Sequence, residues 1–94
     1  MIVPRPHTTV TDLLAQLIAF DTTSRNSNLE LIGWIEDQLR PLGFECRRIE
    51  NSDGDKSNLW ARIGPDVPGG LILSGHTDVV PVDGQPWDTD PFDM

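Results

Sequence analysis

Leu71-Ile72-Leu73-Ser74-Gly75-His76-Thr77-Asp78 decides how the rest of the chain is read. The three aliphatic residues have no polar alternation, the pattern of a strand covered on both faces, so this segment is predicted to be a central strand. Gly75 ends the run and leaves room for close backbone approach. His76 then falls just past the strand's carboxyl end, where open α/β sheets place ligand sites. Asp78 is two residues further on. In extended backbone both side chains share a face, so its carboxylate can accept a hydrogen bond from one imidazole nitrogen and make the other a better metal ligand.

On His-x-Asp alone, the bland reading is the better one: His76 ends a strand and Asp78 begins a turn, because such a tripeptide arises by chance. A serine-hydrolase reading of Ser74, His76 and Asp78 is poorer. Residues two apart on a strand have nearly parallel side-chain directions, and no Gly-x-Ser-x-Gly elbow exposes the serine. Context must decide.

Upstream, Thr9 and Asp12 precede Val10, Leu13, Leu14, Leu17 and Ile18 at helical spacing, which predicts a helix over about 9–20. Asp21-Thr22-Thr23-Ser24-Arg25-Asn26 breaks the period. Ser27 and Glu30 then form a capping-box pattern before Ile32, Ile35, Leu39 and Leu42, predicting a second helix over about 28–42. Pro41 strains its last turn, and Gly43 suits a left-handed cap. Residues 44–49 and 58–63 are strand candidates around the turn Asn51-Ser52-Asp53-Gly54-Asp55. The short Pro65-to-Gly69 connection suggests a hairpin between the second and third strands, with the strand order left open. After Asp78, Pro81, Pro86, Pro91 and the aspartates mark an extended loop, with Trp87 and Phe92 expected to anchor it on the sheet. Trp34 and Trp60 read as packing residues. The predicted fold class is α/β, two helices then three strands, and too few strands and helices are present to cover both sheet faces. The sequence looks unfinished.

Composition narrows the function. Fifteen acidic against seven basic side chains in 94 residues give a net charge of −8, which repels nucleic acid and anionic membranes. No nucleic-acid or membrane partner is expected. Cys46 is the only cysteine, so neither an intramolecular disulfide nor a thiolate zinc cluster can form, in keeping with a cytoplasmic location. The opening residues lack a signal-peptide core, and residues 1–8 are expected to be a flexible terminus in which His7 is a solvated tail residue rather than a ligand. Asp83, Asp88, Asp90 and Asp93 fit no EF-hand spacing and read as turn residues.

Ser74-Gly75-His76-Thr77-Asp78-Val79-Val80-Pro81, followed by Trp87-Asp88-Thr89-Asp90-Pro91-Phe92, resembles the metallopeptidase family that includes acetylornithine deacetylase, succinyl-diaminopimelate desuccinylase and carboxypeptidase G2. Val82-Asp83-Gly84-Gln85-Pro86 most resembles the acetylornithine deacetylase branch. Thr22-Thr23-Ser24, Leu42-Gly43-Phe44 and Asn58-Leu59-Trp60-Ala61 also fit the start of that family's catalytic domain. The resemblance implies that residues 1–94 are an incomplete catalytic domain, the N-terminal part of a three-layer α/β/α zinc-peptidase-like fold with a mixed sheet. It implies a two-ion zinc or cobalt site in which His76 is a metal ligand and Asp78 the catalytic carboxylate that orients it. The remaining ligands, the glutamate general base and the dimerisation domain of an intact homodimer would lie beyond Met94. The implied reaction is hydrolysis of a small N-acyl amino acid, foremost N-acetyl-L-ornithine to L-ornithine and acetate in arginine biosynthesis, with the desuccinylase reaction as runner-up. The fragment alone is then expected to be inactive. From another class, a non-catalytic interaction module that keeps the start of the fold is the competing reading.

Overall fold

The computed structural model describes residues 9–94. The expectations for residues 1–8, including the one for His7, lie outside the described residues. Helix α1 covers Val10–Ile18. Its capping box forms as the sequence predicts: Thr9 Oγ1 accepts from Asp12 N at 3.1 Å, and Asp12 Oδ2 accepts from Thr9 N at 3.2 Å.

Helix α2 covers Leu29–Leu39 and tightens into a 3-10 turn over Arg40–Leu42. The Ser27–Glu30 capping box does not form, because Asn28 occupies the cap position and its side chain is engaged elsewhere. Asn28 Nδ2 donates to Ser57 O and Asn28 Oδ1 accepts from Ser57 N, both at 2.9 Å. That two-pronged contact fixes the start of α2 against the start of the second strand. Pro41 lies in the 3-10 turn, and Gly43 closes it at φ 98°, where a β-carbon would be strained.

Strands β1 (Glu45–Glu50) and β2 (Ser57–Arg62) form an antiparallel hairpin with Glu45 opposite Arg62 and Glu50 opposite Ser57. Asn51 organises its turn by accepting from Lys56 N at 3.2 Å through Oδ1. Helix α2 packs on this hairpin, and Glu36 secures it: its carboxylate accepts from Arg48 Nε at 2.9 Å and from Arg40 Nη2 at 3.0 Å. Leu31 and Ile32 on α2 are the only fully buried aliphatic residues among those described. Phe20 and Trp34 tie the two helices together with ring centroids 6.1 Å apart.

The expected third strand is absent. Leu71, Ile72 and Leu73 are 84, 73 and 87% exposed, and no described residue pairs with them. The apolar run needs partners along both edges and cover on both faces. Among the described residues β1 and β2 pair only with each other, and the connection from β2 to the run passes through Gly69 and Gly70 at φ 93° and 127° without forming a hairpin. The architecture observed among the described residues is thus a small α/β unit of two helices and a two-stranded sheet, and the three-layer arrangement with a mixed sheet is not seen. Its radius of gyration is 15.3 Å, against about 12 Å for a compact domain of this length. Trp87 and Phe92 do not meet the sheet as expected: they line a cavity with Leu14, Leu17 and Phe20, and Trp87 is half exposed.

Candidate functional site

The segment joining the two helices positions the site. Asp21 Oδ1 accepts from Thr23 N at 3.1 Å and from Thr23 Oγ1 at 2.5 Å, which folds Asp21–Thr23 into a tight turn. Thr22 and Thr23 are buried. Thr22 Oγ1 donates to Thr77 O at 2.6 Å, and Thr23 forms an isolated parallel bridge with Val79. Val79 N donates to Thr22 O, and Ser24 N to Val79 O, each at 3.1 Å. Residues 77–79 therefore run alongside 22–24. Arg25 pairs with Asp83 at 3.1 Å further along the same seam.

On that seam His76 Nδ1 lies 3.0 Å from Asp78 Oδ1. The i, i+2 contact expected from the sequence is present, although on an exposed segment and not at the end of a buried strand. An ionised carboxylate can only accept, so the neutral ring carries its proton on Nδ1 and presents Nε2 as a free lone pair. Asp78 Oδ2 accepts in turn from Ser24 Oγ at 3.0 Å. The Ser24 hydroxyl, and after it the His76 ring, hold the Asp78 carboxyl below its ordinary range. His76 and Asp78 side chains are 85% and 63% exposed, so the pair is open to solvent as it stands. The ring borders the apolar cavity of about 460 Å³ formed by α1 and the last loop.

The chemistry open to this arrangement is metal ligation through Nε2, with Asp78 as orienting base. His76 and Asp78 fit one ligand position of a metal centre, and no more. Among the described residues no group of three or more His, Cys, Asp or Glu side chains could enclose an ion. Two of the loop aspartates serve a turn and a surface pair: Asp90 Oδ1 accepts from Phe92 N at 2.9 Å, and Asp83 is held by Arg25. Ser74 makes no hydrogen bond to His76 among the described residues. The serine near the pair is Ser24, and it touches the carboxylate instead of the ring, the wrong end of the pair for a nucleophile. Sequence reading gave Ser24 no role. The signal lay in the hydroxyl-rich Asp21-Thr22-Thr23-Ser24 run between two amphipathic helices.

Among curated proteins, a succinyl-diaminopimelate desuccinylase of Legionella pneumophila is 38% identical over 89 residues, 93% of this chain. An acetylornithine deacetylase of Photorhabdus laumondii is 40% identical over 91 residues, 88% of the chain. The chain is a homologue of these deacylases. A second desuccinylase, from Parvibaculum lavamentivorans, is 45% identical over 65 residues, or 65% of the chain. The matches cover 22%, 23% and 16% of the three relatives, so the chain spans about a fifth of their length. No family model matches the chain, and no solved structure matches it. The two relative types match about equally well, at 38–45% identity, so similarity does not select between them. No helix among the described residues is long and apolar enough to cross a membrane.

Proposed function

We propose that this chain supplies one metal ligand and its orienting carboxylate to a metal-dependent amidohydrolase acting on N-acyl amino acids. The single observation that carries the reading is the 3.0 Å contact between His76 Nδ1 and Asp78 Oδ1, which frees Nε2, in a chain homologous to deacylases. His76 would hold zinc or cobalt through Nε2. Asp78 keeps the ring in the tautomer and orientation that ligation requires, and strengthens Nε2 as a donor by accepting the Nδ1 proton's hydrogen bond. A metal pair, when bound, would supply Lewis acidity for amide hydrolysis.

Within this reading N-acetyl-L-ornithine is the preferred substrate, on the resemblance of residues 82–86, and an N-succinyl amino acid is the alternative. The acidic composition with a single cysteine supports a reducing cytoplasmic setting, and the intact enzyme is proposed to be a homodimer. Coding sequence continuing past Met94 into a Gly-x-x-Asp segment and a Glu-Glu pair would support the enzyme over an interaction module. Assays of that longer polypeptide with zinc or cobalt on N-acetyl-ornithine and N-succinyl-diaminopimelate would then assign the acyl group. The 94-residue chain by itself should turn over neither substrate. Hydrolysis by this chain alone that vanished in His76→Ala would mean that the active site has been misplaced.

A further inference from the structure

The hydrogen-bond chain does not end at the carboxylate. Asp78 has two oxygens with different duties: Oδ1 faces His76 Nδ1 at 3.0 Å, and Oδ2 takes the Ser24 hydroxyl at 3.0 Å. Ser24 Oγ has one proton and a second acceptor in reach, Val79 O at 3.4 Å, but the carboxylate is closer and charged and so is the stronger acceptor. Ser24 is itself held by its backbone. Its N–H donates to Val79 O at 3.1 Å, the neighbouring Thr23 is buried in the parallel bridge, and the Lys56 ammonium donates to Ser24 O. The hydroxyl therefore comes from a fixed point 54 residues away in sequence. Asp78, by contrast, sits on an exposed stretch with free rotation about its side-chain bonds unless something stops it.

We infer that Ser24 is a positioning residue for His76: by occupying Oδ2 it locks the Asp78 carboxylate with Oδ1 toward Nδ1, and so selects the ring tautomer that leaves Nε2 free for a metal. The inference rests on the reading of His76 as a ligand, but its first half concerns the metal-free ring and stands or falls separately. Without the hydroxyl, the carboxylate rotates and solvates, Nδ1–H keeps only its longer contact to Asp78 O at 3.2 Å, and the share of the Nδ1–H tautomer falls toward that of a solvated histidine. Partners that orient a ligating histidine directly are worth about 10- to 100-fold in metal affinity, so one acting through the carboxylate belongs at the lower end, about tenfold.

The test is ring-nitrogen NMR on the chain at about pH 8, above the ordinary histidine range, in a His7→Gln background so that His76 gives the only imidazole signals. Backbone amide spectra verify that the Thr23–Val79 bridge persists. The Nδ1–H form should dominate in the parent, fall in Ser24→Ala and return in Ser24→Thr, which restores a hydroxyl on the same backbone. The zinc dissociation constant, read from the Nε2 shift, should rise about tenfold in Ser24→Ala and recover with threonine. An unchanged tautomer in Ser24→Ala overturns the inference, and so does equal loss in both variants, since the hydroxyl would then not be the determinant. If the tautomer responds as stated while zinc never perturbs Nε2 in the parent, the positioning half stands and the metal reading fails instead.

Discussion

Glu36 is the residue whose loss should most damage the folded chain. Its side chain is 6% exposed on α2, and it accepts from Arg48 on β1 and Arg40 after the helix, with those partners 34% and 50% exposed. The hydrogen bonds from Arg48 hold the Glu36 carboxyl below its ordinary 4.5. Removing one member of a buried ion pair costs about 3–5 kcal/mol, because the other charge is left without a partner. Both arginines reach solvent and can be rehydrated, so Glu36→Gln should fall beneath that range, at about 2 kcal/mol. For a chain of this size that is about 10 °C in Tm. Arg40→Ala, which breaks only the half-exposed arm, should cost less than about 1 kcal/mol. Urea denaturation followed by tryptophan fluorescence reads both variants. The sign with pH follows from the lowered folded value: the stabilisation is complete above about 4.5, where the unfolded carboxyl is ionised, and is lost as pH falls through the folded value. Glu36→Gln should flatten that acid-side slope. Equal, small losses in Glu36→Gln and Arg40→Ala, with the slope unchanged, would refute the claim that this pair docks helix to hairpin.

Two further outcomes follow from exposed surface and backbone geometry. The chain should self-associate through the uncovered Leu71–Leu73 run, more so at high salt where its −8 charge is screened, and Ile72→Asp should bring the light-scattering mass back toward 10.5 kDa; a monomer under all conditions would contradict this. Gly43→Ala should cost about 1 kcal/mol from its φ of 98° alone, since the space is open enough that the added carbon meets only Ile63 Cδ1 at 3.7 Å; an unchanged denaturation midpoint would show that the 3-10 turn relaxes freely.

The helices and the hairpin were legible in the sequence because their signals are local. Thr9 with Asp12, the amphipathic spacing through Leu17, the turn from Asn51 to Asp55 and the left-handed Gly43 each act within a few residues. The contact between His76 and Asp78 was legible for the same reason, being an i, i+2 effect. What failed was the step from hydrophobicity to environment. Leu71-Ile72-Leu73 has the composition of a central strand, but burial depends on neighbours, and none among the described residues supplies an edge or a covering layer. Asn28 displaced the Ser27–Glu30 cap through a contact 29 residues distant, and Ser24 reached Asp78 across 54. Neither pairing leaves a mark on the local pattern. Trp87 and Phe92 likewise border a cavity with Leu14 and Leu17 of α1 instead of covering a sheet.

The most direct test of the account is where a metal ion lands on this chain. Cobalt(II) titrated into the labelled chain in a His7→Gln background should broaden the His76 ring protons before any other signal. Binding should be weak, since water fills the positions that no described residue supplies, and Asp78→Ala should weaken it further, by about 10- to 100-fold. A His76 ring left untouched while signals around Asp88, Asp90 and Asp93 broaden first would contradict the claim that His76, oriented by Asp78, is the metal ligand.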